Sequence, residues 1–232
     1  MTKRKQISDS IELAVFLAIS GGFMDAYSYI CRDGVFANAQ TGNILLLGVN
    51  LSEGKWIEAC RYIGPIAAFS IGIGFATILK HWLRKDHFLH WRQIALLVEL
   101  ALLFGVGLVP RGYSLLANSL TSMACGIQVQ SFRKIKGNAA ATTMCIGNLR
   151  SATEAICNWW YKKDKEAGKK GLLYIGVIVS FAIGAIFGNV CIKRLEEKAI
   201  MVSSVILFIS FLIMFIDLEG KEEKPVRSLL QE

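Results

Sequence analysis

The chain has 232 residues, 53% of them hydrophobic and 19% charged, with a mean hydropathy of +0.45 and a formal net charge of +8. The apolar residues come in blocks too long for soluble helices, which excludes a separate water-soluble module as the main architecture. The positive charge would suit nucleic acid, but basic residues concentrated on one side of a membrane account for it, and no nucleic-acid partner is expected.

The first block runs from about Ile11 to Cys31. Lys3, Arg4 and Lys5 precede it as in a signal peptide, yet it continues through Gly21 and Asp25 into an element that recurs later, so it reads as a retained span. Asp25 lies late in this span. A charge at membrane depth is costly and tends to persist for a use, although an interfacial place near the outer end would also hold it. The connection from Asp33 to Asn43 reads DGVFANAQTGN and leads into the apolar Ile44 to Leu47. Thr41 and Asn43 flank Gly42 there and are helix-start residues, expected to cap a short helix whose free N–H groups suit an anionic or polar solute. A surface loop and an interfacial helix, with Trp56 at headgroup level, is the competing reading.

The second span is expected from Tyr62 to Trp82, with Ala68, Gly72 and Ala76 four residues apart on one face. Such a stripe permits close backbone approach of a neighbouring helix, or of a second chain in a homodimer. His81, His87 and His90 follow; a metal or pH-sensing group is one reading, basic-interface histidines the plainer one. The third span, Gln93 to Val109, is interrupted by Glu99, which reads as a proton-coupling group or a structural hydrogen bond to a neighbouring helix. The fourth, Tyr113 to Phe132, carries Gln128 and Gln130. Asn138 to Asn148 then reads NAAATTMCIGN, with Thr142, Thr143, Gly147 and Asn148, before Leu149 to Trp160. The run Tyr161 to Lys170, YKKDKEAGKK, reads as an inner loop, solvated or against anionic lipid headgroups. The fifth span, Gly171 to Cys191, repeats the small-residue stripe as Ser180, Gly184 and Gly188, and the sixth is expected from Ala199 to Ile216. None shows the period-two alternation of barrel strands.

The second half of the chain resembles the first. Gly21, Ile30, Gly42 and Asn43 meet Gly126, Ile135, Gly147 and Asn148 at an offset of 105, and Phe69, Ile71, Gly72 and Phe75 meet Phe181, Ile183, Gly184 and Phe187 at 112. The expected fold is therefore an all-α integral membrane protein of about six transmembrane helices, arranged as a 3+3 inverted repeat with polar Gly-Asn turns after helices 1 and 4. Residues 1–110 form the first three-helix repeat, 111–218 the second, inverted one, and 219–232 a cytoplasmic tail. Spans two and five, with their matched stripes, are expected to cross near the pseudo-two-fold axis. With the amino terminus inside, nineteen Lys and Arg fall on the inner side and seven on the outer, which puts both termini in the cytoplasm of a multi-pass cell-membrane protein.

Six cysteines, at 31, 60, 125, 145, 157 and 191, show no metal-ligand spacing, and a Cys31–Cys60 disulfide is open on separation alone. No metal, cofactor or catalytic residue is expected, since no His pair, Ser-Lys pair or nucleotide loop is present.

GGFMDAYSY, FANAQTGNILLLG and GIQVQSFRKIKGNAAATTMCIGNL resemble the paired signatures of the YoaK-like family, small bacterial multi-pass membrane proteins with a domain of unknown function. The resemblance runs from about Ile11 to Ile216, through Asp25, Thr41-Gly42-Asn43, Gln128, Arg133, Lys134 and Thr142-Thr143. Ile146 stands where the first copy has Thr41. It implies a membrane location and about six spans and supplies no substrate. Two function classes follow. One is a transporter or channel for a small polar or anionic solute, lined by Asp25, Thr41, Gly42, Asn43, Gln128, Gln130, Thr142, Thr143 and Asn148, with Asp25 or Glu99 coupling protons. The other is a non-transporting scaffold that binds membrane lipids or a partner.

Overall fold

The computed structural model describes residues 10–83 and 90–222, with side chains as far as Met214 in the last helix. Lys3, Arg4, Lys5, His87 and residues 223–232 of the expected tail lie outside the described residues. The helices are α1 (Ile11–Cys31), α2 (Gln40–Ser52), α3 (Trp56–Trp82), α4 (Trp91–Val106), α5 (Ser114–Ser131), α6 (Cys145–Lys162), α7 (Lys165–Leu195) and α8 (Ile200–Glu222). A two-residue hairpin, β1 (Lys134–Ile135) and β2 (Asn138–Ala139), joins α5 to α6. Lys136 and Gly137 both take positive φ at its tip, as a tight two-residue hairpin turn requires.

The all-α class holds apart from this hairpin. Ile11–Cys31, Trp56–Trp82 and the stretch Lys165–Met214, which contains α7 and α8, are long and apolar enough to cross a membrane. At 1.5 Å per residue, α1 and α3 span roughly 30 and 40 Å. By contrast α4, with 16 residues, is short, and α5 buries Asn118, Thr121, Ser122, Gln128 and Ser131.

Two expected features are corrected. The Gly-Asn pairs are not turns: Gly42-Asn43 lies in the first turn of α2 and Gly147-Asn148 in that of α6. YKKDKEAGKK is no loop either. It is a corner in which α6 ends at Lys162, Lys163 turns with φ 53, and Asp164 caps α7 by accepting hydrogen bonds from the Glu166 and Ala167 N–H groups.

The bundle is built on two close crossings. α1 packs on α7 and α3 packs on α5, while α4 and α8 pack on one another. A Cβ on Gly22 would collide with the Phe181 carbonyl oxygen, and one on Gly184 with that of Ile19. At the other crossing, Gly72 meets the Met123 carbonyl and Gly126 that of Phe69. The stripes at positions 72 and 184 are therefore filled within the chain by α5 and α1. Spans two and five (α3 and α7) do not use them against one another. α2 lies on α3 and α6 on α7.

All six cysteines are free, so the Cys31–Cys60 disulfide is absent from the structure.

Candidate functional site

The connection after α1 is what brings polar groups to the middle of the bundle. Asp33 and Gly34, with φ 62° and 72°, reverse the chain at the end of the helix. Residues 35–39 then run back along α1 far enough for the Asn38 Nδ2 to donate to the carbonyl of Gly21, 3.1 Å away. Gly21 is the central residue of the 21-residue α1. Non-helical backbone at that depth is tolerated only where protein or a lined cavity satisfies it.

Asp25, one turn past Gly21, accepts a 2.7 Å hydrogen bond at Oδ1 from the Asn38 N–H. The N–H groups of Ala37 and Ala39, which lead into α2, also point to the carboxylate. The positive start of α2, expected to receive a solute anion, is thus met by the half-buried Asp25 of the same chain. Asn43 caps this segment, though not as a helix N-cap. Its Oδ1 accepts from the Phe36 N–H at 3.0 Å, and its Nδ2 donates to the Phe36 carbonyl at 2.7 Å and to Gln40 Oε1 at 2.9 Å. The residue preceding α2 is Ala39, with no side-chain cap.

From the second half, Gln128 is fully buried and donates from Nε2 to the carbonyl of Leu17 at 2.9 Å and to Thr142 Oγ1 at 3.1 Å. Thr143 rests its methyl against Gly21. Leu17, Gly21 and Asp25 are spaced i, i+4, i+8, so these groups gather on one face of α1. Several buried atoms there have no hydrogen-bond partner in the structure: Asn38 Oδ1, Gln128 Oε1 and Thr143 Oγ1. Beside them, Cys125 Sγ lies 3.6 Å from Met24 Sδ.

Not every expected residue joins. Thr41 is exposed on the first turn of α2. Gly42 packs against the Phe36 ring. Gln130 turns to α3, donating to Thr77 Oγ1 at 2.8 Å. Asn148 closes its own segment by donating to the Ala141 carbonyl at 2.7 Å, and Gly147 lines an outer cleft of about 390 Å³ with Arg133 and Arg150. Glu99 is fully buried on α4 with neither carboxylate oxygen hydrogen-bonded, and like Asp25 it lies within electrostatic reach of Cys125. Ala68, Ala76, Ser180 and Gly188 sit on the packing faces; the Ser180 hydroxyl donates to the Gly176 carbonyl in its own helix.

Two residues outside the expected site, Arg32 and His90, shape the ends of the bundle. Arg32, directly after α1, is fully buried. It donates to Tyr27 Oη at 2.9 Å and to the carbonyls of Val109 and Pro110, while its own carbonyl accepts from Asn118. It pins the end of α1 to the end of α4. Its only signal was its place directly before Asp33-Gly34. At the other end His90, half-buried, is the N-cap of α4: Nδ1 accepts from the Arg92 N–H, and Gln93 Oε1 accepts from the His90 N–H. Burial and the neighbouring Arg92 charge lower its pKa from the ordinary 6.5.

The arrangement offers oxygen acceptors at the centre of a helix bundle. Among the described residues, no group of three or more His, Cys, Asp or Glu is placed to hold a metal ion. In sequence the chain is 24% identical over 205 residues to the UPF0700 transmembrane protein YoaK of Bacillus subtilis (strain 168), covering 84% of this chain and 90% of the relative. No solved structure matches. The family described as "Protein of unknown function (DUF1275)" matches residues 13–213, and with the YoaK likeness and the apolar helices this makes the chain a member of that YoaK-like transmembrane family.

Proposed function

We propose that the protein is a small transporter or channel of the cell membrane, with binding and passage of a small polar solute at the α1–α5 crossing rather than catalysis as its activity. In this reading α1, α3, α4, α5, α7 and α8 span, and α2 and α6 are half-helices that start at mid-depth. Three spans per half give the halves opposite orientations, with both termini cytoplasmic. Supporting this, exchanging α1 with α5, α2 with α6, α3 with α7 and α4 with α8 maps each main packed pair onto another or onto itself. Each half also closes its re-entrant segment through an Asn side chain to a carbonyl seven residues earlier, Asn43 to Phe36 and Asn148 to Ala141.

The observation that carries the reading is the group of buried polar atoms without partners around Leu17, Gly21 and Asp25. An unpaired buried polar atom costs about 1–3 kcal/mol, which a bound solute or water would offset. Glu99 is the second acid of this account, a carrier of protons beside the path. The test is flux through vesicles reconstituted with the full chain, followed by light scattering over a panel of small solutes. The account expects flux in the parent and its loss in Asp25→Asn that still inserts. A folded parent that passes no panel solute faster than empty vesicles overturns it.

A lipid-binding role is favoured by one separate feature. A cleft of about 670 Å³ beside α1 and α7 has apolar walls including Ile11, Val15 and Leu173, and is also lined by Lys136, Lys170 and the Lys169–Glu166 ion pair. It suits an acyl chain with an anionic headgroup. Retention of anionic over zwitterionic lipid by the purified parent, lost in Lys136→Ala with Lys170→Ala, supports this role; equal retention of both lipids removes it.

A further inference from the structure

We infer that the ligand of the α1–α5 crossing is a small monovalent cation, held by oxygen atoms of Asp25, Asn38, Gln128 and Thr143. The inference rests on the proposed function and names its solute, or the ion that drives it.

It begins from the atoms left over. The carbonyls of Leu17 and Gly21, on successive turns of one face of α1, can only accept hydrogen bonds. Gln128 gives an N–H to the first at 2.9 Å and Asn38 gives one to the second at 3.1 Å. These contacts fix both amide planes, with nitrogen toward α1 and oxygen away from it. Gln128 Oε1 and Asn38 Oδ1 are therefore buried acceptors, and the structure supplies neither with a donor. The Thr143 hydroxyl, on a residue only 5% exposed, is likewise unpartnered. A Cβ at Gly21 would strike the Thr143 methyl, so glycine is what admits this side chain against α1. Asp25 lies one turn further along; its Oδ1 accepts from the Asn38 N–H, and the Ala37 and Ala39 N–H groups and the Asn38 side chain also face its carboxylate.

The inventory is a carboxylate, two amide oxygens and a hydroxyl. All are hard oxygen groups able to accept. An anion finds the wrong partners here, because the N–H groups at the start of α2 already face Asp25. A divalent ion held by one carboxylate would leave a net charge at the middle of the hydrocarbon, whereas a monovalent ion makes the site neutral. Alkali ions would use the oxygens as direct ligands. Ammonium-type cations would use the same atoms as hydrogen-bond acceptors.

The experiment is thermal unfolding of the full chain purified in detergent, at constant ionic strength and constant chloride, with N-methyl-D-glucamine replaced stepwise by sodium, potassium or ammonium. The expected result is a melting temperature that climbs with the logarithm of one small cation's concentration, while choline leaves it unchanged. A response to sodium or potassium identifies direct ligation, and a response confined to ammonium identifies hydrogen-bond acceptance. Asp25→Asn should weaken the apparent affinity by about tenfold or more. Thr143→Val, which trades the hydroxyl for a methyl of the same shape, should weaken it too and carries the test where Asp25→Asn does not fold. A flat response to every cation, or one undiminished in the variants, overturns the inference. Vesicle flux separates the two readings. A parent that moves a neutral solute at the same rate in every cation overturns the cation and leaves transport standing. A parent that binds the cation and passes nothing, the cation included, keeps the site and overturns transport.

Discussion

The segment between α1 and α2 and the segment between α5 and α6 share a backbone device and differ in charge. Both end in an Asn that reaches back seven residues to a carbonyl, and both lead directly into a helix. The first places the Asp25 carboxylate against the start of α2. In the second the helix ends earlier, a hairpin intervenes, and the start of α6 borders a cleft with Arg133 and Arg150. Under the proposed function, shared backbone closure with different charge means that the solute is not held symmetrically. The first half contributes the charge, and the second contributes Gln128 and Thr143.

The sharpest way to test the shared part is to damage both halves alike. Gly22→Val and Gly126→Val each drive a side chain into the backbone of a packed helix, at Phe181 and Phe69 respectively. Each should destabilise the protein by about 3 kcal/mol or more, read by chemical unfolding in detergent. A large effect in one half and none in the other would break the comparison. Next come the closing asparagines. Asn43→Ala removes partners from both polar groups of Phe36 and should cost about 2–3 kcal/mol, whereas Asn148→Ala releases one carbonyl bond and should cost about 1 kcal/mol. Equal losses would show that the first junction is not the more tightly closed.

The smallest expected effect lies outside the comparison's polar centre and checks its frame. His90 caps α4 through neutral Nδ1, and its pKa is lowered in the folded chain. Its contribution is therefore present above the ordinary value of 6.5 and is lost as pH falls through the lower folded value. Acidification from neutral pH should remove up to about 1 kcal/mol, and His90→Ser should keep the cap without that pH dependence. An identical acid profile in parent and variant would assign the loss to another group.

The membrane class and the positions of α1, α3 and the stretch that holds α7 and α8 were legible because long apolar runs dominate the sequence. The helices α2 and α6 were legible only as helix starts, since Thr41-Gly42-Asn43 and Ile146-Gly147-Asn148 look as much like turns as first helical turns. Of the expected site, Asp25, Gln128, Thr142 and Thr143 come together, while Gln130 and Thr41 do not. An offset of 105 pairs Asp25 with Gln130 by residue count. Yet Gln128 is the residue that faces α1, because the rotation of α5 is set by the close contact of Gly126 with α3. Helix rotation is decided by packing across the two halves, which no local spacing reveals. Asn38 went unnoticed for the same reason: its role depends on a chain reversal at Asp33 and Gly34.

The proposed function gives the two halves opposite orientations, with the corners between α2 and α3 and between α6 and α7 as their equivalent points. The most direct measurement is the sidedness of reporters fused near Lys55 and near Lys165. The account predicts an external reading at Lys55 and a cytoplasmic one at Lys165; the same side at both would contradict it.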